Sequence, residues 1–101
     1  MGSDALIKRF ALKFLADTSY ERLHVGLENK DYEEAFRAAH TLKGVCQNLS
    51  FQRLSGSSGE LTELLRNYAT VPVDEEACSR LWHEVSEHYA QVVDALRTLE
   101  E

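Results

Sequence analysis

Apolar residues recur along this chain at intervals of three and four, and polar breaks divide the pattern into five stretches. Leu6, Ile7, Phe10, Ala11 and Phe14 share one face and predict a short amphipathic helix over residues 4–15. Asp17 and Thr18 interrupt it, and Thr18 followed by Glu21 has the spacing of a capping box. A second helix over 18–29 is expected to bury Tyr20, Leu23 and Leu27. Asn29-Lys30-Asp31 breaks the pattern, and Asp31 with Glu34 caps a third helix that runs to about Leu49. Ser50 is the expected cap of a fourth, striped by Phe51, Leu54, Leu61, Leu65 and Tyr68. That stripe passes through Ser58, with Gly56 and Gly59 beside it, small residues that predict a close approach of two backbones. Tyr68 to Val73, holding the single proline at 72, is the one real loop. Asp74 then caps a long last helix striped by Leu81, Val85, His88, Val92, Leu96 and Leu99, with Trp82 and Tyr89 on its flank.

No segment alternates with period two for long enough to be a strand, and there is no repeat or low-complexity run. The expected fold is all-α: an up-and-down antiparallel four-helix bundle with a short additional N-terminal helix. At 101 residues and 44% hydrophobic, residues 1–101 make one domain with a single core. Met1–Ser3 reads as a cloning remnant.

Charge and composition remove several function classes. A net charge of −6 argues against a duplex nucleic-acid binder, which needs a basic face for phosphates. No run approaches the length of a membrane span, and the N-terminal residues lack the apolar core of a signal peptide. Leu6 stands where a myristoylation motif has Ser or Thr. Cys46 and Cys78 fall at buried helical positions and read as reduced core residues of a cytoplasmic protein.

The histidines separate by face. His88 lies on the apolar stripe of the last helix and His24 on the inner half of the second, so both are core or boundary residues. His83 points outward, and its spacing of five to His88 sets the two rings about 140° apart, which excludes a zinc-protease motif. A metal-binding bundle would need Glu-x-x-His pairs facing inward on two helices. Glu21-Arg22-Leu23-His24 supplies one, whereas Arg80 and Val85 precede His83 and His88. No serine sits in a strand-to-helix elbow, and Lys43 precedes Gly44 rather than following a glycine-rich loop, so no nucleotide site is legible.

His40 is different. On the third helix Ala35, Ala39, Leu42, Cys46 and Leu49 form a narrow stripe, with Ala38 and Val45 on its shoulder. His40 points roughly 140° from the centre of that stripe. Phe36, Lys43, Gly44 and Gln47 surround it, one turn back or on. Gly44 costs about 1 kcal/mol against alanine in a helix interior, so something should need its missing side chain. It leaves the imidazole open to a bulky partner, while the Lys43 ammonium reaches the same point in space, where it suits a phosphoryl oxygen. Phe36 and its neighbour Arg37 are candidate docking contacts on this flank. The sharpest chemistry for this arrangement is a nucleophilic histidine that accepts a transferred group.

Ala39-His40-Thr41-Leu42-Lys43-Gly44, followed by Asn48-Leu49 and then Leu54 and Leu61, resembles the signature of the histidine-containing phosphotransfer (HPt) domains of multistep phosphorelays. The surrounding pattern is similar to these domains from the first helix to the loop at Pro72. The resemblance implies a phosphocarrier without autokinase activity. His40 would accept a phosphoryl group from the aspartyl phosphate of a receiver domain and pass it to another receiver. Lys43 would steady the phosphoryl charge, and Gly44 would keep the approach open. The partners implied are receiver domains of response regulators or hybrid histidine kinases, meeting a monomer in the cytoplasm or the cytosolic part of a sensor kinase. No cofactor is expected on this domain, because the receiver would supply the magnesium ion.

Two departures stand out. Many members have glycine or another small residue where this chain has Gln47, whose longer side chain would hydrogen-bond the imidazole or the phosphoryl group, or restrict which receiver docks. Ser50 stands where a glycine commonly ends this helix. The alternative to phosphotransfer is a scaffold that binds receivers or other signalling domains without chemistry; the intact histidine, lysine and glycine favour transfer.

Overall fold

The computed structural model describes residues 2–49 and 51–98, with side chains from residue 8 onward within those spans. Five helices follow one another: α1 (Gly2–Ala16), α2 (Ser19–Glu28), α3 (Tyr32–Asn48), α4 (Gln52–Leu65) and α5 (Glu75–Thr98). The fold is the expected all-α, up-and-down bundle with an extra helix at its N-terminus. Leu6 and Ile7 of the predicted α1 stripe, the Ser50 cap and Leu99 of the α5 stripe lie outside the described residues.

Three of the expected boundaries rest on visible hydrogen bonds. Asp31 Oδ1 accepts from the Glu34 amide (3.3 Å), and Asp74 Oδ1 accepts from the Ala77 amide (3.1 Å), each satisfying an otherwise unpaired donor of a first turn. Between α2 and α3, Lys30 takes a left-handed conformation (φ 54°). This lets the Asp31 amide donate to the Gly26 carbonyl (2.8 Å) and the Lys30 amide to the Leu27 carbonyl (3.2 Å), a Schellman closure made without glycine. The Lys30 ammonium also reaches Glu75 at the start of α5 (2.8 Å).

The Thr18–Glu21 capping box does not form. Thr18 makes no side-chain cap bond; Asp17 Oδ1, one residue earlier, takes the Ser19 amide at 2.8 Å. Thr18 itself has φ −96° and ψ 2°, away from the extended conformation that turns an N-cap hydroxyl toward the Glu21 amide. Phe51 occupies the cap position of α4 with no side-chain bond. Tyr68 falls beyond α4, in turns closed by bonds such as Tyr68 N–H to the Leu65 carbonyl (3.1 Å), so the connection to α5 starts earlier than the stripe implied.

Helix α3 lies between α2 and α4, and α4 packs on α5. Leu23, Ala35, Ala38, Ala39, Leu42, Cys46, Leu54, Leu61, Leu65 and Val85 are closed to solvent. The alanines let α2 and α3 meet at short range. A Cβ built on Gly26 would come within 3.0 Å of the Ala35 nitrogen and 3.2 Å of its Cα and Cβ. The close backbone approach expected at Gly56 and Gly59 is therefore at Gly26 instead. Gly56 faces open space, and Gly59 accommodates the Lys43 side chain.

The α2–α5 seam is filled by rings. Tyr20 stacks on Tyr89 (3.8 Å, 1° between planes) and on Trp82 (5.1 Å), and His24 stacks on Trp82 (5.3 Å). Phe14 of α1 extends the series through Tyr89 to Phe51 and seals the end of the bundle where α3 gives way to α4. Tyr20 and Leu27 are half-buried rather than enclosed, and Phe10 is 43% exposed. Ser57, Ser58 and Thr62 give α4 a polar inner edge, each hydroxyl donating to a carbonyl of its own helix. Cys46 and Cys78 are buried and unbridged. No described helix is long and apolar enough to cross a membrane.

Candidate functional site

The face of α3 opposite its buried stripe carries the candidate site. Leu42 and Ala39, the chain neighbours of Thr41 and His40, are 1% and 0% exposed, which fixes the helix rotation and turns His40 into solvent. His40 and Gln47 are exposed, and Lys43, Gly44 and Phe36 are partly buried. The Phe36 ring lies nearly parallel to the His40 ring, one turn away (6.3 Å, 13°). A Cβ on Gly44 would have no neighbour within 4 Å, so no internal packing calls for glycine at this point of the helix.

Helix α4 supplies the other wall. The aliphatic stem of Lys43 crosses to α4, where its Cδ and Cε stand 3.5 Å from the position a Gly59 Cβ would take. Lys43 thereby buries its methylenes and leaves its ammonium at the rim. Seven positions back along α3 from Lys43 stands Phe36, and seven positions forward from Gly59 stands Arg66, the residue that caps the end of α4. These two also meet, with Arg66 Cζ 5.5 Å from the Phe36 ring centre. This antiparallel register sets His40 level with the turn of α4 that carries buried Thr62 and exposed Glu63. A shallow groove of about 500 Å³ continues past Lys43 and Gln47, lined on the α4 side by Ser55, Gly56, Gly59, Glu60 and Glu63.

Charges on this face are paired in short range. Glu63 accepts two hydrogen bonds from Arg66, at 2.9 Å from Nε and 2.8 Å from Nη2. These bonds first, and then the positive charges of Arg66, Lys43 and His40 against some desolvation, hold its carboxyl below the usual range. The same pair holds Arg66 above its usual value. Arg37 is taken by Glu33 one turn back (2.7 Å), so its guanidinium lies along α3.

The remaining histidines are elsewhere and occupied. His24 reaches Glu28 (3.1 Å), His83 reaches Glu87 (3.1 Å), and His88 Nδ1 lies 2.9 Å from the Ser57 hydroxyl across α4 and α5. Both boundary assignments, His24 and His88, match their half-buried positions. Among the described residues, no three His, Cys, Asp or Glu side chains converge as a metal site.

Sequence periodicity thus brings together Phe36, His40, Lys43, Gly44 and Gln47. It misses Glu63, Arg66 and Gly59, which enter from α4. They are found only through the register in which α3 and α4 pack, which the spacing within either helix does not give. Chemically, the site offers an exposed imidazole nucleophile, with the Lys43 cation one turn on along α3 and clear space over Gly44.

A family model described as the Hpt domain matches residues 13–100. Comparison with curated proteins and with solved structures gives no match.

Proposed function

Because the chain belongs to the Hpt domain family, whose members are phosphocarriers in histidine phosphorelays rather than kinases, we propose that His40 is its phosphorylated residue. In this reading the lone pair of one imidazole nitrogen attacks the phosphorus of a receiver aspartyl phosphate. The N–P bond forms as the acyl O–P bond breaks, the aspartate leaves as a carboxylate, and the other ring nitrogen keeps its proton. Return to a second receiver is the reverse step. Such a transfer has little covalent work for the protein to do, so alignment and charge stabilisation dominate.

What carries the reading is an exposed His40 beside a Lys43 ammonium that α4 holds at the rim, under the open space at Gly44. Lys43 neutralises a phosphoryl oxygen, and its stem is restrained along Gly59, which lowers the entropy cost of holding the ammonium there. Gln47 reaches the same face as an amide donor, and Phe36 and Arg37 offer apolar and polar contact to a docked receiver. The domain itself holds no cofactor, works as a monomer, and meets receivers on the cytoplasmic side; magnesium belongs to the receiver.

The test is phosphoryl transfer from a phosphorylated receiver in the presence of magnesium. Acid-labile, base-stable label is expected on the wild type and not on His40→Gln. Label persisting at equal stoichiometry in the variant would move the site elsewhere. Absence of label from a broad panel of receivers would favour a binding scaffold.

A further inference from the structure

Glu63 is a paradox in a phosphoryl-accepting site. It is an anion on the α4 turn level with the residue that would carry an anionic group, and it holds the Nε–Nη2 edge of Arg66, a cation packed on the Phe36 ring beside that residue. Arg66 is also placed by Phe36, whose ring packs between the guanidinium and the His40 turn. The local charges on the α4 side are Lys43 and Arg66 against Glu63, with Glu60 further along the groove. With His40 unphosphorylated, Glu63 takes the Nε–Nη2 edge of Arg66 in two hydrogen bonds. Once His40 carries a phosphoryl group, its three oxygens compete for the same guanidinium, which prefers a planar, bidentate oxyanion partner. Either Glu63 keeps the Nε–Nη2 edge and the phosphoryl group meets Arg66 only through its remaining N–H groups, or Arg66 turns and the Glu63 carboxylate is left facing a like charge.

We infer that the Glu63–Arg66 pair sets how strongly His40 retains its phosphoryl group: Glu63 drives it toward onward transfer, and Arg66 holds it. Glu63 on α4 and Arg66 at its C-terminal cap are positioning and tuning groups outside the His40–Lys43–Gly44 motif. The inference rests on phosphorylation of His40 as proposed above. It makes Glu63 the reason this domain is a carrier with an easily released cargo, since an anion here opposes the phosphorylated state by repulsion and by competition for Arg66 together.

The measurement is the equilibrium division of label between the domain and one receiver, for wild type, Glu63→Gln, Arg66→Gln and the double variant. Wild-type domain is first labelled with phosphoramidate, a small donor whose P–N bond breaks with release of ammonia as the histidine N–P bond forms. That step needs no docked protein, so lack of label at His40 here would remove the underlying reading and the inference with it. Given label, Glu63→Gln should shift the equilibrium roughly two- to fivefold toward phosphorylated His40, as expected for one nearby charge in screened solvent. Arg66→Gln should shift it the other way, and the double variant should return close to wild type. Both single shifts should shrink at high salt. Loss of helix packing cannot give opposite signs from two partners of one ion pair. An unchanged equilibrium in Glu63→Gln, shifts of the same sign in both variants, or shifts indifferent to salt would overturn the inference.

Discussion

Replacing Gly44 by alanine should make the protein more stable, and this expectation separates a glycine kept for function from one kept for packing. Gly44 lies inside α3, where glycine is less favourable than alanine by about 0.5–1 kcal/mol because it loses more backbone freedom on folding. Nothing stands within 4 Å of the new Cβ, so no steric term opposes the gain. In a domain of this size about 1 kcal/mol corresponds to a rise in Tm of about 4–8 °C. Gly26→Ala is the matched control. There the added methyl meets Ala35 backbone at 3.0 and 3.2 Å, α2 and α3 must separate, and a net loss of about 1–3 kcal/mol is expected despite the same propensity gain. Urea and thermal unfolding followed by circular dichroism read both. The functional half uses a longer side chain: Gly44→Leu should fold, yet slow transfer from a receiver by at least about tenfold, because displacement of the reacting groups by an ångström is enough to do so. Gly44→Ala that unfolds more readily than wild type would refute the reasoning, since the fold would then require the glycine. So would Gly44→Leu with undiminished transfer.

Two further expectations concern the core behind the site. Burial raises the Cys46 thiol to about 12, with the Asp17 charge adding to it, and raises Cys78 and Tyr89 in the same direction. The unfolded chain therefore releases these protons first; the contribution of these groups to stability should be constant below about pH 9 and fall as pH rises from about 9 toward 12, by up to about 1.4 kcal/mol per unit for each such group. Cys46→Ala should flatten that fall in alkaline urea titrations, and Cys46 should resist alkylation until the protein unfolds. Leu42→Ala removes a side chain 1% exposed beneath the His40 face and should cost about 2–5 kcal/mol in denaturant unfolding, with surviving folded protein still accepting label on His40.

Local pattern determined much of this molecule. The three-and-four spacing of apolar residues identifies five helices, and the angular offset of His40 from Ala35, Ala39, Leu42 and Cys46 places it on the wet face, because helix geometry is fixed by the backbone alone. Asp31 and Asp74 are recognisable caps for the same reason: each acts on an amide three residues away. At Thr18 the capping-box spacing was present but the backbone conformation was not, and the side chain that bonds the helix start is Asp17, to the Ser19 amide. Contacts between helices were beyond the local pattern. That Gly26 is the packing glycine, that Gly59 seats Lys43, and that Glu63 and Arg66 close the site from α4 all depend on the register in which two helices pack. Register is set by the summed fit of many side chains across an interface, so no one segment of the sequence contains it.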